Sequence, residues 1–154
     1  MKNDEIKPHD SGELFLRINK IILATDGSIP SLMATQYAIA LARIFGAKVK
    51  AIFVDSTDEY LEVNSDEDII KTRYNNTGLD LVEQYAIRNG VSYETEIVHG
   101  AIAKTIIKTA DEYGADLIIV GNTGRTGLKR LALGSVSEAV VKNSPIPVLV
   151  IKAS

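Results

Sequence analysis

Short runs of aliphatic residues alternate along this chain with longer amphipathic segments, and no other feature restricts its possible folds as much. The alternation is typical of βαβ units, in which helices connect the strands of a parallel sheet. Residues 117–120 are four consecutive aliphatics, the pattern of a strand that other elements cover on both faces. The sequence therefore predicts a single α/β domain with five strands and four helices.

Capping and turn residues locate the predicted elements. The predicted strands are residues 20–25, 47–54, 91–98, 117–120 and 148–151. The predicted helices are one between the N-cap Ser28 and the closing Gly46, then residues 68–89, 101–113 and 135–142. The apolar residues that recur at helical spacing in the first helix are Met33, Tyr37, Ala40, Leu41 and Ile44. Gly78 falls inside the second predicted helix, where glycine costs about 1 kcal/mol relative to alanine.

Length and composition narrow the class of protein. The 154 residues fit one domain, which we place at residues 19–154 behind an N-terminal extension of residues 1–18. The absence of cysteine excludes disulfides and thiolate metal sites. A formal net charge of -3 argues against nucleic acid as a partner. No secretory pattern or membrane-spanning run is evident, so we predict a cytoplasmic protein without a membrane partner.

The glycine-rich segment from Gly121 to Ser135 carries the strongest functional signal. Gly121, Gly124 and Gly127 follow the fourth strand, and Gly134 precedes a helix. Phosphate binding requires converging backbone N–H groups, which glycine permits, and it gains from the positive end of a helix dipole. Ser135 and Ser137 add hydroxyl donors at the start of the helix, while Arg125, Lys129 and Arg130 are the only charged residues between Gly121 and Ser137.

Two better-known phosphate motifs are absent from the sequence. No G-x-G occurs, so the dinucleotide fingerprint fails, and no G-x-x-x-x-G-K-[ST] segment is present. A simpler interpretation of the glycines is that they only form turns. Three glycines in seven residues after a buried strand, followed by Gly134-Ser135 at a helix start, favour the phosphate-binding interpretation.

The segment resembles the nucleotide-binding motif of the universal stress protein family, G-x-x-G, nine residues, then G-[ST]. Gly121-Asn122-Thr123-Gly124, residues 125–133 and Gly134-Ser135 fill this pattern without a gap. Residues 21–28, 114–121 and 147–151 also resemble the corresponding strands of the family. The resemblance extends over about residues 19–152.

This resemblance implies a Rossmann-like three-layer α/β sandwich with a five-stranded parallel sheet in the order 3-2-1-4-5. Ligand-binding members of the family bind adenine and ribose at the positions of Ala24 and Asp26, and they place the base against Val54. The ribose and the phosphates lie at the glycine motif. The nucleotide-binding residues that we predict are Ala24, Thr25, Asp26, Val54, Val120, Gly121, Gly124, Arg125, Gly134, Ser135, Val136 and Ser137. The expected ligand is ATP.

Some positions depart from the usual family pattern or allow a further role. Asn122-Thr123 stands where a basic residue is frequent, so a basic contribution has to come from Arg125. Ala24 stands where some nucleotide binders have proline.

Seven acidic residues between Asp55 and Asp68 could hold Mg²⁺ beside the phosphates, although such runs are more often solvated loops. Neither His9 nor His99 has the partners of a catalytic histidine.

Three classes of function follow from these observations. The leading interpretation is an ATP-binding universal stress protein that acts as a regulatory or protective stress-response module and catalyses no reaction. The alternative is an enzyme, either a slow ATPase or one that transfers an adenylyl or phosphoryl group, although no general base is evident near the phosphates. The third is a domain without nucleotide binding that only forms dimers. The resemblance implies a homodimer through the fifth strand, between Pro147 and Lys152.

Overall fold

The computed structural model describes residues 15–56, 76–122 and 133–153. Within these residues five parallel strands form one sheet in the order β3-β2-β1-β4-β5. The strands are β1 (Lys20–Ala24), β2 (Lys48–Asp55), β3 (Tyr93–His99), β4 (Leu117–Gly121) and β5 (Val148–Ile151). The helices are α1 (Ile29–Phe45), α2 (Leu79–Asn89), α3 (Ile102–Tyr113) and α4 (Ser135–Asn143). The predicted fold class and strand order are confirmed.

The sheet lies between two layers of helices, each with its own apolar core. Helices α1 and α2 pack on one face, where Ile21, Leu23 and Ile119 are fully buried. Helices α3 and α4 pack on the other, around Ile22 and Ile118. Because both faces of β1 and β4 are covered, these strands consist almost entirely of aliphatic residues.

Helix α1 shows how local sequence determines an element here. The Ser28 hydroxyl accepts a hydrogen bond from the backbone N–H of Ser31, which caps the first turn. Gly46 ends the helix at a φ of 66°, in the left-handed region that favours glycine. The helix was predicted, but Tyr37 and Ile44 are 51% and 74% exposed. Of the predicted residues, Met33 and Leu41 do pack against the core. The fully buried face consists mostly of small residues beside Ile39: Pro30, Ser31, Ala34, Thr35, Ala38 and Ala42.

The second predicted helix has a wrong start. The sequence predicts it over residues 68–89 with Gly78 inside, whereas residues 76–78 are not helical and α2 begins at Leu79. Gly78 is the N-cap of α2 at a φ of 86°, a conformation outside the helical region. The remainder of the predicted segment, residues 68–75, lies outside the described residues. The other predicted boundaries agree with the structure to within two residues.

Candidate functional site

The site predicted from the sequence lies where the chain leaves β1 and β4 at the carboxyl edge of the sheet. These two strands are neighbours, with Leu23 paired to Ile119. After β1 the chain enters α1 on one face, and after β4 it reaches α4 on the other. The opposite directions of these connections open a crevice between the strand ends, the usual ligand position in such sheets.

Asp26 is presented by a tight turn between β1 and α1. Its Oδ1 atom accepts a hydrogen bond of 3.0 Å from the backbone N–H of Ser28, and Gly27 supplies a φ of 79°. A carboxylate can accept about four hydrogen bonds, so bracing this turn is compatible with accepting a hydrogen bond from a ligand hydroxyl. The turn therefore fixes the carboxylate at the end of β1.

Thr25 has a different role from its neighbour. It is 5% exposed, and its side chain lies in the layer of α1 and α2. The hydroxyl donates to the carbonyl oxygen of Thr77 at 3.0 Å and also lies 3.2 Å from the hydroxyl oxygen of Ser31. The predicted site includes Thr25, but this hydroxyl is engaged inside the fold, where it supports the turn.

Gly121 allows β4 to approach the start of α1. A Cβ atom at this position would lie 2.8 Å from both the backbone carbon and the Cβ of Pro30. Real Cβ atoms do not approach other heavy atoms this closely, so a side chain would push α1 and β4 apart. The structure thus gives Gly121 a packing role, and its place beside the phosphates stays a prediction.

The loop after β4 closes on itself through Asn122, Gly134 and Ser137. The carbonyl oxygen of Asn122 accepts a hydrogen bond of 2.6 Å from the N–H of Gly134. The Ser137 hydroxyl donates to the carbonyl oxygen of Gly121 at 2.6 Å and lies 3.2 Å from that of Asn122. Ser137 is 3% exposed, so its hydroxyl joins the two ends of the loop and does not extend from the helix as an open donor.

The amino end of α4 has the general features that suit an anion. Gly134 is the N-cap, and no side chain of the described residues forms a cap hydrogen bond there. The first turn of any helix has N–H groups without intrahelical partners and a positive dipole end. Ser135 is exposed and Val136 is half-buried, and both lie in the first turn of the helix as predicted.

The apolar part of the site lies in the layer of α3 and α4. Val54 and Val120 are 8% and 4% exposed at the ends of their strands, and Ala24 and Val136 pack against the same core. All four belong to the predicted set, and the structure brings them together in one apolar cluster. Such a surface suits the flat, apolar face of a base.

Some of the predicted residues lie outside the described part of the chain. These are Gly124 and Arg125, together with every member of the acidic run except Asp55. Asp55 is 4% exposed at the end of β2, and its Oδ2 lies 3.8 Å from Nδ1 of His99. No group of three or more possible metal ligands occurs among residues 15–56, 76–122 and 133–153. The Mg²⁺ prediction thus remains a prediction.

Two supports of the site were not predicted from the sequence. Asn122 is 3% exposed; its backbone N–H donates to Ile151 in β5, and its side-chain oxygen accepts from the N–H of Ala153 just after that strand. Thr77 and Gly78 contact the turn around Asp26 from 52 residues away. A polar residue inside a motif, as at Asn122, is a usable signal, whereas nothing local to Gly78 indicates its distant neighbours. In the part of the chain that the structure describes, no helix is long and apolar enough to cross a membrane.

Comparison with known proteins finds one family, both by its sequence model and by individual relatives. The model of the universal stress protein family matches residues 17–152. Universal stress protein MJ0531 of Methanocaldococcus jannaschii is 41% identical over 138 residues, covering 86% of this chain and 81% of the relative. Universal stress protein YxiE of Bacillus subtilis is 33% identical over 147 residues, covering 87% and 99% of the two chains.

Solved structures resemble the whole described fold. A structure of the hypothetical protein MJ0577, determined to assign its biochemical function, has a TM-score of 0.73 at 30% identity and covers 90% of this chain and 99% of its own. A universal stress protein in complex with cAMP has a TM-score of 0.70 at 26% identity, covering 90% and 100%. One from Archaeoglobus fulgidus in complex with dAMP has a TM-score of 0.65 at 23% identity, again covering 90% and 100%.

Proposed function

The chain belongs to the universal stress protein family, and from that premise we propose that it binds ATP as a regulatory or protective module of a stress response. The base lies against Val54, the ribose hydroxyls bond to Asp26, and the phosphates lie at the glycine motif and the amino end of α4. In this position the apolar base lies next to an apolar surface, and the anionic phosphates lie next to the positive end of a helix dipole.

One observation carries the proposal. The turn that presents Asp26 and the uncapped start of α4 lie at the carboxyl ends of adjacent strands, although they are more than a hundred residues apart in the sequence. Relatives in the family that were solved with cAMP and with dAMP support the adenine nucleotide as the class of ligand. The preference for ATP rests on the complete G-x-x-G, nine residues, G-[ST] motif.

We also propose that the bound nucleotide is held and not turned over. Phosphoryl transfer to water needs a group that orients the nucleophile, in addition to stabilisation of the phosphate charge. The residues assigned to the phosphates are glycines, serines and Arg125, none of which is a general base. Release of phosphate from ATP and Mg²⁺ above background, abolished by Gly124→Val, would instead support the slow ATPase that is our alternative.

The proposed assembly is a cytoplasmic homodimer. Among the described strands β5 pairs only with β4, so one edge of this short apolar strand is open. An open edge favours pairing with another strand, and an identical edge on a second copy gives a symmetric contact. Light scattering during size-exclusion chromatography tests this directly, since a monomer at micromolar concentration would contradict it.

Mass spectrometry of small molecules released from freshly purified protein tests the ligand. Calorimetric titration with ATP, ADP and AMP then measures the three affinities for the unaltered protein and for Asp26→Asn. The asparagine oxygen can still accept from the Ser28 N–H, so the turn is retained, but the charged acceptor for the ribose is lost. We expect weaker binding of all three nucleotides.

Asp116→Asn is the matched control, because it removes the same charge at the opposite end of the sheet. Asp116 accepts hydrogen bonds from the backbone N–H groups of Asn19 and Lys20 before β1. The nucleotide affinity of Asp116→Asn should equal that of the unaltered protein. Equal affinities for all three proteins would remove Asp26 from the site, and no measurable binding to the unaltered protein would overturn the proposal.

A further inference from the structure

We propose that Thr77 and Gly78 are positioning residues for the nucleotide, because they support the turn that carries Asp26 from the start of α2. This inference rests on the function proposed above and adds to it two residues outside the glycine motif and the first strand. Neither residue belongs to a motif in the sequence. The evidence for their role comes from contacts between segments 52 residues apart.

The first contact is a buried hydrogen bond. The Thr25 hydroxyl donates to the carbonyl oxygen of Thr77 at 3.0 Å, and the Thr25 oxygen also receives the N–H of Gly27 at 3.4 Å. Thr77 is itself fixed, since it is 4% exposed and its hydroxyl accepts from the N–H of Leu79 at 3.2 Å. The start of α2 and the turn after β1 are thereby tied through one threonine on each side.

The second contact is the close approach of Gly78 to the same turn. A Cβ atom on Gly78 would overlap the Thr25 hydroxyl and would lie 3.3 Å from both the nitrogen and the Cα of Gly27. These atoms belong to Thr25 and Gly27, the residues directly before and after Asp26. A side chain at Gly78 therefore has to displace Thr25, Gly27 or both, and a displacement of either moves the Asp26 carboxylate relative to the crevice.

The chain offers a closely matched control at the other end of the same helix. Gly90 closes α2 at a φ of 65°, and a Cβ atom there would have no neighbour within 4 Å. Gly78 and Gly90 thus share a left-handed backbone and differ in the space beside them. Asparagine tolerates this backbone better than other residues with a side chain, so glycine-to-asparagine changes isolate the steric contact from backbone strain.

The experiment compares the full chain with Gly78→Asn and with Gly90→Asn, each first shown to be folded by circular dichroism at the assay temperature. Adenosine is titrated calorimetrically, because it carries the ribose that Asp26 would bind and lacks phosphates. We expect Gly78→Asn to weaken adenosine binding by at least about tenfold and Gly90→Asn by less than about twofold. The backbone amide resonances of Asp26 and Ser28 should shift only in Gly78→Asn.

A second pair of variants addresses loss of folding in Gly78→Asn. Thr77→Val removes the acceptor that fixes Thr77 and should weaken adenosine binding, while Thr77→Ser keeps that acceptor and should restore it. Equal adenosine affinity in Gly78→Asn and Gly90→Asn, or in Thr77→Val and the unaltered protein, would overturn this inference alone. Absence of adenosine and ATP binding in the unaltered protein would overturn it together with the proposed function.

Discussion

The hydroxyl of Ser137 donates a 2.6 Å hydrogen bond to the carbonyl oxygen of Gly121, which joins the first turn of α4 to the end of β4. This bond spans the whole glycine-rich loop; its Ser137 end is buried and its Gly121 end is half-buried. The two parts of the proposed phosphate site are therefore held together by the protein itself. Ser137 therefore has a structural role, whereas the exposed Ser135 is the residue proposed to contact phosphate.

Ser137→Ala should lower the free energy of unfolding by about 1–3 kcal/mol, because it removes the buried donor and leaves the half-buried acceptor on Gly121 without it. Ser135→Ala, at an exposed position of the same turn, should change it by less than about 0.5 kcal/mol. Urea denaturation measures both. If Ser135 contacts phosphate as proposed, its variant should bind ATP more weakly in calorimetry. Equal stability losses in the two variants would contradict the assignment.

Gly121→Ala should destabilise the protein by about 1–3 kcal/mol through the overlap with Pro30. It should also weaken ATP binding, since α1 and β4 flank the crevice. Gly46→Ala is the contrasting variant, because Gly46 has open space but a left-handed backbone. We expect it to cost about 1–2 kcal/mol without changing ATP affinity. Thermal denaturation and calorimetry separate the two cases, and unchanged ATP affinity in folded Gly121→Ala would contradict the prediction.

Tyr113→Phe should leave the free energy of unfolding unchanged or raise it by about 1 kcal/mol. The Tyr113 hydroxyl is buried and has no hydrogen-bond partner among the described residues, and its burial raises the pKa of the phenol. Phenylalanine keeps the ring, over which the ammonium groups of Lys20 and Lys50 lie at 5.0 and 5.4 Å. Urea denaturation tests this, with Tyr113→Leu as the control that should be less stable. A clear loss of stability in Tyr113→Phe would show that the hydroxyl is satisfied.

Glu94→Gln should flatten the acid side of the stability profile. Hydrogen bonds from Lys48 above all, and from Lys50, lower the pKa of Glu94. A carboxylate with a lowered pKa stabilises the fold above its unfolded pKa of about 4.3, and this contribution is lost as pH falls through the lower folded value. Urea denaturation between about pH 5 and pH 3 should show a smaller decline in Glu94→Gln.

The lysine partners provide the control for this pH prediction. Lys48→Met removes the main cause of the lowered pKa, so it should reproduce part of the same flattening. A decline as steep in Glu94→Gln as in the unaltered protein would show that the pair with Lys48 and Lys50 does not contribute.

The strands could be predicted because their signals are local, and their order because the resemblance to the family implies it, whereas the nucleotide-binding residues stay a prediction. Aliphatic runs indicate buried strands wherever they occur, and the spacing from Gly121 to Ser135 is read directly from the sequence. The start of α2 could not be predicted in this way. Gly78 looks like a weak interior position of a helix until Thr25 and Gly27 are known to lie against it.

The buried face of α1 was hidden for a similar reason. Tyr37 and Ile44 are large and apolar, and helical spacing alone assigns them to the core. The structure instead buries Ala34, Ala38 and Ala42 beside Ile39, and the small side chains let the helix pack closely on the sheet. Size at a contact depends on the distance between elements, which periodicity does not report.

The hydrogen bonds of Asn122 connect the candidate site to the last residues of the chain to be synthesised. The backbone N–H of Asn122 donates to Ile151 at 2.9 Å, and its side-chain oxygen accepts from Ala153 at 3.3 Å, so its correct position depends on residues made about thirty codons later. Domains generally fold as units during synthesis. We therefore expect the nascent chain to bind no nucleotide until β5 has emerged and Asn122 has these partners.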